Sequence, residues 1–363
     1  MRILTTLPQD DLNHVPAAAA LAEASGYDGL VTSENRNEPF LALAVAAVNT
    51  AHVRLSTGIA IAFSRSPMAV ANASWDLQVA SRGRFALGLG SQVRAHNENR
   101  FSVPWSAPAP RMREYVEALR DIWRCWETGA KLAFRGQHYK FTLMTPNFTP
   151  KSTGQPMVPV TIAAVGPAML RLAGELCDGV RLHGFCTRRY LDDVVMRELR
   201  TGMARGGRPR EHFEITGGGF IATGADQESV AKMMEWVRYR VAFYASTPAY
   251  WPVLEVHGLQ ELGQKLNVMS KAGQWDAMAN EVSDDVVHLF AVAATHRHLA
   301  GEIERRFGGV SDAITLSGGY GVRQDIPPEL IQDIRHIPSA FTGYHTTWEP
   351  PSSPRAAADP ARG

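Results

Sequence analysis

The stretch VPVTIAAVGPAMLRLAGELCDGVRL, residues 158–182, sets a helix-period segment between two short apolar runs. Residues 158–164 read as a strand. Met169, Leu172, Ala173, Leu176 and Cys177 then share one helical face, and Pro167 suits the first helical turn, where an amide hydrogen would have no partner. Residues 179–182 read as the next strand. Strand, helix and strand in that order make a βαβ unit with parallel strands and a right-handed crossover.

The same rhythm extends in both directions. Strands are expected at 2–7, 28–33, 54–62 and 85–89 before this unit, and at 214–222 and 312–316 after it. Helices are expected at 15–25, 39–50 and 67–81, the last two opened by Pro39 and Pro67. Eight strands joined by helices favour closure into a (β/α)8 TIM barrel over an open sheet, and 363 residues are enough to bury it. A further helix carries Met112, Tyr115, Val116, Leu119, Ile122, Trp123 and Trp126 at three- and four-residue spacing, so both tryptophans read as core. Two insertions interrupt the barrel, near 129–150, with a hairpin around Arg135-Gly136, and near 241–285, with a helix about 259–270. One domain is expected over 1–347, followed by a disordered tail over 348–363 rich in Pro, Ala, Ser and Arg.

Composition narrows the partners. With 45% hydrophobic and 20% charged residues and a net charge of +1, the chain is expected to be globular, with a small molecule rather than nucleic acid as its ligand. Cys125, Cys177 and Cys186 lie far apart with no CxxC pair, which suggests neither a disulfide framework nor a thiolate metal site. The N-terminus reaches acidic residues before a signal-peptide core could form, and no apolar run is long enough to span a bilayer. A cytoplasmic protein is expected.

In such a barrel, function collects where strands end and helices begin. At Gly166-Pro167 the first amide hydrogens of a helix meet the positive end of its dipole, and a glycine keeps the approach clear, so an anion is expected there; an ordinary strand-to-helix turn is the competing reading. A second junction, SRGRFALGLGSQ, ends in Gly88, Gly90 and Ser91, small residues that either let a flat ring lie close or serve tight strand packing. A third, Thr57-Gly58-Ile59, puts a glycine inside a β-rich run, the mark of a bulge or a close backbone approach.

GYDGLVTSE, VRLSTGIAIAFSRSPMAVA, SRGRFALGLGSQ, PVTIAAVGPAMLRLAGELCDGV and FYASTPAYWPVLEVHG, taken in order, resemble the bacterial-luciferase-like superfamily, in the branch that uses coenzyme F420. That resemblance implies a TIM barrel holding the deazaflavin ring in its mouth, with the cofactor phosphate at Ala164, Val165, Gly166 and Pro167. It also implies a non-prolyl cis peptide at Gly58-Ile59 supporting the ring, an acidic ring-edge contact at Glu34, and a homodimer. Asn35 departs from the histidine often found beside that acid, and an amide cannot act as a general acid or base.

Proton transfer therefore needs another group. His96 and Glu98, just beyond the fourth strand, are the expected catalytic pair, with a solvated surface loop as the plain alternative. His183, leaving the sixth strand, is expected to border cofactor or substrate, with a hydrogen-bonded structural histidine as the alternative; His138 in the hairpin is less well placed. Tyr244, Thr247, Tyr250 and Trp251 form either a substrate lid or a subunit contact. His296-Arg297-His298 lacks the companion ligands of a metal site and reads as a polar helix start. The leading expectation is an F420-dependent oxidoreductase moving a hydride between the ring's C5 and a small organic substrate. FMN-dependent monooxygenation in the same mouth, and cofactor binding without catalysis, are its rivals.

Overall fold

The computed structural model describes residues 1–317 and 321–349. Strands β1 (Arg2–Thr6), β2 (Gly29–Thr32), β3 (Arg54–Thr57), β4 (Ala60–Ile61) and β5 (Phe85–Gly90) come first. The hairpin β6 (Phe134–Arg135) and β7 (Lys140–Phe141) precedes β8 (Val160–Ala164), β9 (Gly179–Leu182) and β10 (Glu214–Gly217). β11 (Phe220–Gly224), β12 (Ala291–Thr295) and β13 (Ala313–Thr315) complete the set. Parallel pairing runs β3, β2, β1, β13, β10, β9, β8, β5, and a β3–β5 pairing closes the ring of eight. The fold is a (β/α)8 barrel, with β4 extending its rim.

The strands are buried on both faces, as a parallel sheet wrapped by helices must be: every residue of β2, β5 and β9 is buried. Helix Pro108–Thr128 buries Tyr115, Trp123 and Trp126 as its apolar stripe requires, and it stops where Gly129 takes a left-handed conformation at φ 72°. Cys125, Cys177 and Cys186 are free and buried.

Three expectations need correction. The strand expected over 54–62 divides into β3 and β4, and the Gly58–Ile59 peptide between them is cis. The strand expected over 214–222 also divides, because Gly217 and Gly218 take φ of 85° and 114°, which no strand continues through. Past that break β11 leaves the barrel to pair with β12, a strand absent from the sequence reading. Finally, Trp348, expected to begin a disordered tail, packs edge-on against Trp75 at 6.2 Å, and its carbonyl accepts from Arg124 Nε at 3.1 Å. The rest of that expected tail, residues 350–363, lies outside the described residues.

The insertions are ordered elements. β6 and β7 pair antiparallel, and Gly136 N donates to Tyr139 O at 2.8 Å across the turn. The second is helical, with Trp251–Glu255, Gln260–Lys271 and Asp284–Phe290 following the long helix Gln227–Ala245. At the barrel's N-terminal pole, the chain after helix Pro328–Arg335 forms a plug. There Arg2 lies 4.3 Å over the Phe341 ring, and Tyr344 Oη donates to Glu214, which is also paired with Arg2. The opposite pole is left for function.

Candidate active site at the barrel mouth

At the C-terminal pole the strands give way to half-buried residues, among them Ser33, Ile59, Ser91, Val165, His183 and Gly217, whereas their strands are buried. Solvent therefore reaches into the mouth. The Gly58–Ile59 segment is stitched into its wall on both sides. Gly58 N donates to Thr32 O at 2.6 Å, Glu34 N donates to Ile59 O at 3.0 Å, and Ala62 N donates to Gly90 O at 2.9 Å. One oxygen of the buried Glu34 carboxylate accepts from Ile61 N at 2.7 Å and from Arg65 Nη1 at 2.6 Å. Glu34 thus braces the segment from behind. Arg65 is a candidate-site residue absent from the sequence expectations, although its place in SRSP, between strand and helix, is a usable signal.

The two glycines leaving β5 do not open onto empty space. A Cβ on Gly88 would lie 2.0 Å from Thr57 O and 2.6 Å from Arg181 Nε, and one on Gly90 would lie 2.6 Å from Ile59 Cδ1. Gly88 serves close packing, and its N–H and carbonyl both bond the Thr57 hydroxyl. The side chains that fill the space beside these glycines are the half-buried Ile59 and the buried Arg181. Gly166 is the contrary case: a Cβ there would meet nothing within 4 Å. It is the N-cap of helix Pro167–Leu176, has extended backbone, and no side chain caps the helix. Its first-turn amide hydrogens and the positive dipole end face that open approach, while Tyr190 Oη fixes the turn by donating to Val165 O at 2.9 Å. Ala164 is buried beneath.

His183 is enclosed by Tyr244 and Tyr250, whose ring centroids lie 4.2 Å and 4.9 Å away. Burial, with a smaller push from Arg240, lowers its pKa to about 4, so the ring is neutral at pH 7. Its Nδ1 accepts from Phe185 N at 2.9 Å, which assigns the ring proton to Nε2 and makes His183 a donor. Tyr244 accepts from Arg240 Nη2 at 2.6 Å, and Trp251 Nε1 donates to Ala245 O at 2.9 Å. The aromatic segment therefore packs over the β9 exit within one chain. Thr247 caps the short turn before Tyr250 through its backbone.

The remaining candidates sit on other elements. His96 and Glu98 sit on the short helix Arg94–Asn99 and are exposed, with Glu98 drawn into an ion pair with Arg94 at 3.0 Å. The inward residue there is Asn97, whose Nδ2 donates to Ser91 O and Val93 O at 2.9 and 3.1 Å. Asn35 is exposed, and its carbonyl accepts from Arg100. His138 lies in the hairpin turn, its N–H bonded to Glu114. His296 opens helix His296–Phe307, with Arg297 and His298 in its first turn. No group of His, Cys, Asp and Glu able to hold a metal occurs among the described residues.

A family model described as luciferase-like monooxygenase matches residues 2–312, the span that forms the barrel up to β13. The chain belongs to the luciferase-like monooxygenase family. It is therefore an enzyme of the oxidoreductase class. An uncharacterized Mycobacterium tuberculosis protein, Rv1360, is 45% identical over 330 residues, covering 91% of this chain and 96% of the relative. The 5,10-methylenetetrahydromethanopterin reductase of Archaeoglobus fulgidus is 30% identical over 283 residues, 76% of this chain and 80% of that one. Among solved structures, the coenzyme F420-dependent tetrahydromethanopterin reductase from Methanopyrus kandleri superposes with a TM-score of 0.75 at 21% identity, over 93% of this chain and 99% of that one. This likeness extends the luciferase-like fold across both barrel and insertions. No helix among the described residues is long and apolar enough to cross a membrane.

Proposed function

We propose that this luciferase-like enzyme is a coenzyme F420-dependent oxidoreductase, moving a hydride between the deazaflavin C5 and a small organic substrate. The observation that carries the reading is the pairing, at one pole of the barrel, of a half-buried Gly58–Ile59 platform with the uncapped, unobstructed helix start at Gly166. A flat ring with an anionic tail needs both. The Methanopyrus structure, named as a coenzyme F420-dependent reductase, supports F420 over FMN.

The residues present fit that group. Ala164, Val165 and Gly166 would hold the tail phosphate through backbone N–H groups and the helix dipole, with Pro167, which has no N–H, opening the helix behind them. Gly58 and Ile59 would carry the ring, with Gly90 and Ser91 forming the wall beside Ile59 and Glu34 keeping the platform in place through Ile61 and Arg65. When bound, the deazaflavin supplies two-electron chemistry as a hydride at C5. The protein's part is to orient substrate over that carbon and to exclude water, which the cluster of Tyr244, Tyr250 and Trp251 over the β9 exit is built to do. His183, neutral and carrying its proton on Nε2, offers a hydrogen bond to an oxygen or nitrogen of the bound molecule. Proton exchange is assigned to His96, whose side chain enters no ion pair among the described residues, with Glu98 held by Arg94 as its neighbour on the same helix. We further infer a cytoplasmic location and a homodimer, the latter supported by the exposed Leu41 and Val48 on helix Pro39–Asn49.

Titration of the purified apoprotein with F420 and, separately, with FMN tests the reading. F420 is expected to bind at least about tenfold more tightly, a difference of about 1.4 kcal/mol. Preferential binding of FMN, with oxygen consumed on its reduction, would overturn it in favour of monooxygenation. Tight F420 binding with no hydride transfer to any substrate of a broad panel would leave a binding protein.

A further inference from the structure

β9 carries one charged residue in an otherwise apolar strand, Gly179-Val180-Arg181-Leu182, and all four positions are buried. Arg181 is 9% exposed. Its Nε donates to Thr161 Oγ1 at 3.1 Å, and from there the side chain crosses the barrel interior toward β5 and β3. The crossing is read from two glycines. A Cβ on Gly88 would lie 2.6 Å from Arg181 Nε and 3.0 Å from its Cδ, and a Cβ on Gly58 would lie 3.2 Å from its Nη1. Both positions lack a side chain where the guanidinium passes.

Among the described residues, Arg181 makes no ion pair, and its one hydrogen bond is to a neutral hydroxyl. The buried acids at the two ends of the barrel are committed elsewhere: Glu34 to Arg65, Glu214 to Arg2 and Tyr344, Asp178 to Arg120 and Arg208, and Asp312 to Arg210. A buried cation without a counter-charge is costly to maintain, and a methionine of similar length would fill the same space without that cost. Placement beside Gly58, the first residue of the proposed ring platform, gives the charge an occasion.

We propose that the Arg181 guanidinium is an anion-binding group in the floor of the mouth, taking a planar, negatively polarised edge presented by the bound small molecule. Two sources offer that chemistry: the carboxylate of a substrate, and the N–C=O edge of a bound pyrimidinedione ring. The second rests on the deazaflavin reading above. The fork of Arg181 suits either, since paired N–H groups match a planar two-acceptor edge better than an ammonium does.

The test compares wild type, Arg181→Met and Arg181→Lys by three measurements. These are melting temperature without ligand, fluorescence titration with F420, and perturbation of the F420 spectrum by benzoate against benzamide. Arg181→Met is expected to melt at or above the wild-type temperature while losing one of the two affinities by about ten- to a hundredfold. Loss of F420 affinity assigns the ring edge. Unchanged F420 affinity with loss of the benzoate response assigns a substrate carboxylate. Arg181→Lys is expected to keep the fold and part of the affected affinity. Wild-type values for both ligands in Arg181→Met, or failure of both variants to fold, would overturn the proposal and leave Arg181 a structural filler. Failure of the wild type to bind F420 would instead overturn the cofactor reading, and the benzoate comparison, repeated on apoprotein by thermal shift, would still decide Arg181.

Discussion

His183 shows how much one side chain's surroundings decide. The folded protein resists protonating it, since burial and then Arg240 hold its pKa near 4 against the ordinary value of 6.5. The unfolded chain takes up that proton as pH falls through 6.5, whereas the folded chain takes it up only near 4. Between those values the unfolded state binds more protons, so wild-type stability falls with falling pH, by at most about 1.4 kcal/mol per pH unit from this group. Denaturant unfolding of wild type and His183→Asn across that window should show a shallower acid slope in the variant; parallel profiles would contradict the assignment. At this scale the sequence was informative where geometry follows from composition, as at Gly166 and Pro167. Arg65 carried a usable signal in its place between strand and helix, but the sequence was silent on Arg181, because a lone charge in a linear string says nothing of which way it points. His96 and Glu98 were named for their chemistry and keep that proposed role; what the string did not show is that they share a short helix that turns Asn97 inward and leaves both exposed.

Elements were legible wherever apolar period and a breaker coincided. Helix Pro39–Asn49 and helix Pro67–Ala80 begin at the prolines that announce them, and Glu38 and Ser66 supply the caps. Strands that divide were harder, since Gly217 and Gly218 signal a break only when their positive φ is known. β12 escaped because AVAAT is short and lies directly before a helix. The hairpin β6–β7 was visible in sequence, but its anchor was not. Glu114, from the distant helix Pro108–Thr128, accepts from Gln137 N, His138 N and Tyr139 N at 2.9, 2.7 and 3.2 Å. Glu114→Ala removes a carboxylate that satisfies three amides in a partly exposed turn. A loss of about 1–2 kcal/mol is expected, with faster proteolysis within the turn. A variant as stable and as protease-resistant as wild type would show that the turn holds itself.

For the whole molecule, alternation of strands and helices was enough to foresee closure, because eight right-handed crossovers leave few other arrangements. Not foreseen was the plug of Phe341 and Tyr344 at the N-terminal pole, a long-range contact joining residues at the two ends of the chain. That plug and the barrel's polarity direct binding to the other pole, where the account places a ring on Gly58–Ile59 and an anionic tail at Gly166. The most direct measurement is F420 affinity of Gly166→Asp beside its melting temperature. Gly166 has extended backbone at φ −79° and ψ 157°, an added Cβ meets no atom, and aspartate is a favoured N-cap, so the variant should fold at least as well as wild type. Its carboxylate would occupy the site proposed for the phosphate. F420 affinity is expected to fall at least about tenfold with the melting temperature kept or raised. Undiminished affinity in the folded variant would contradict it.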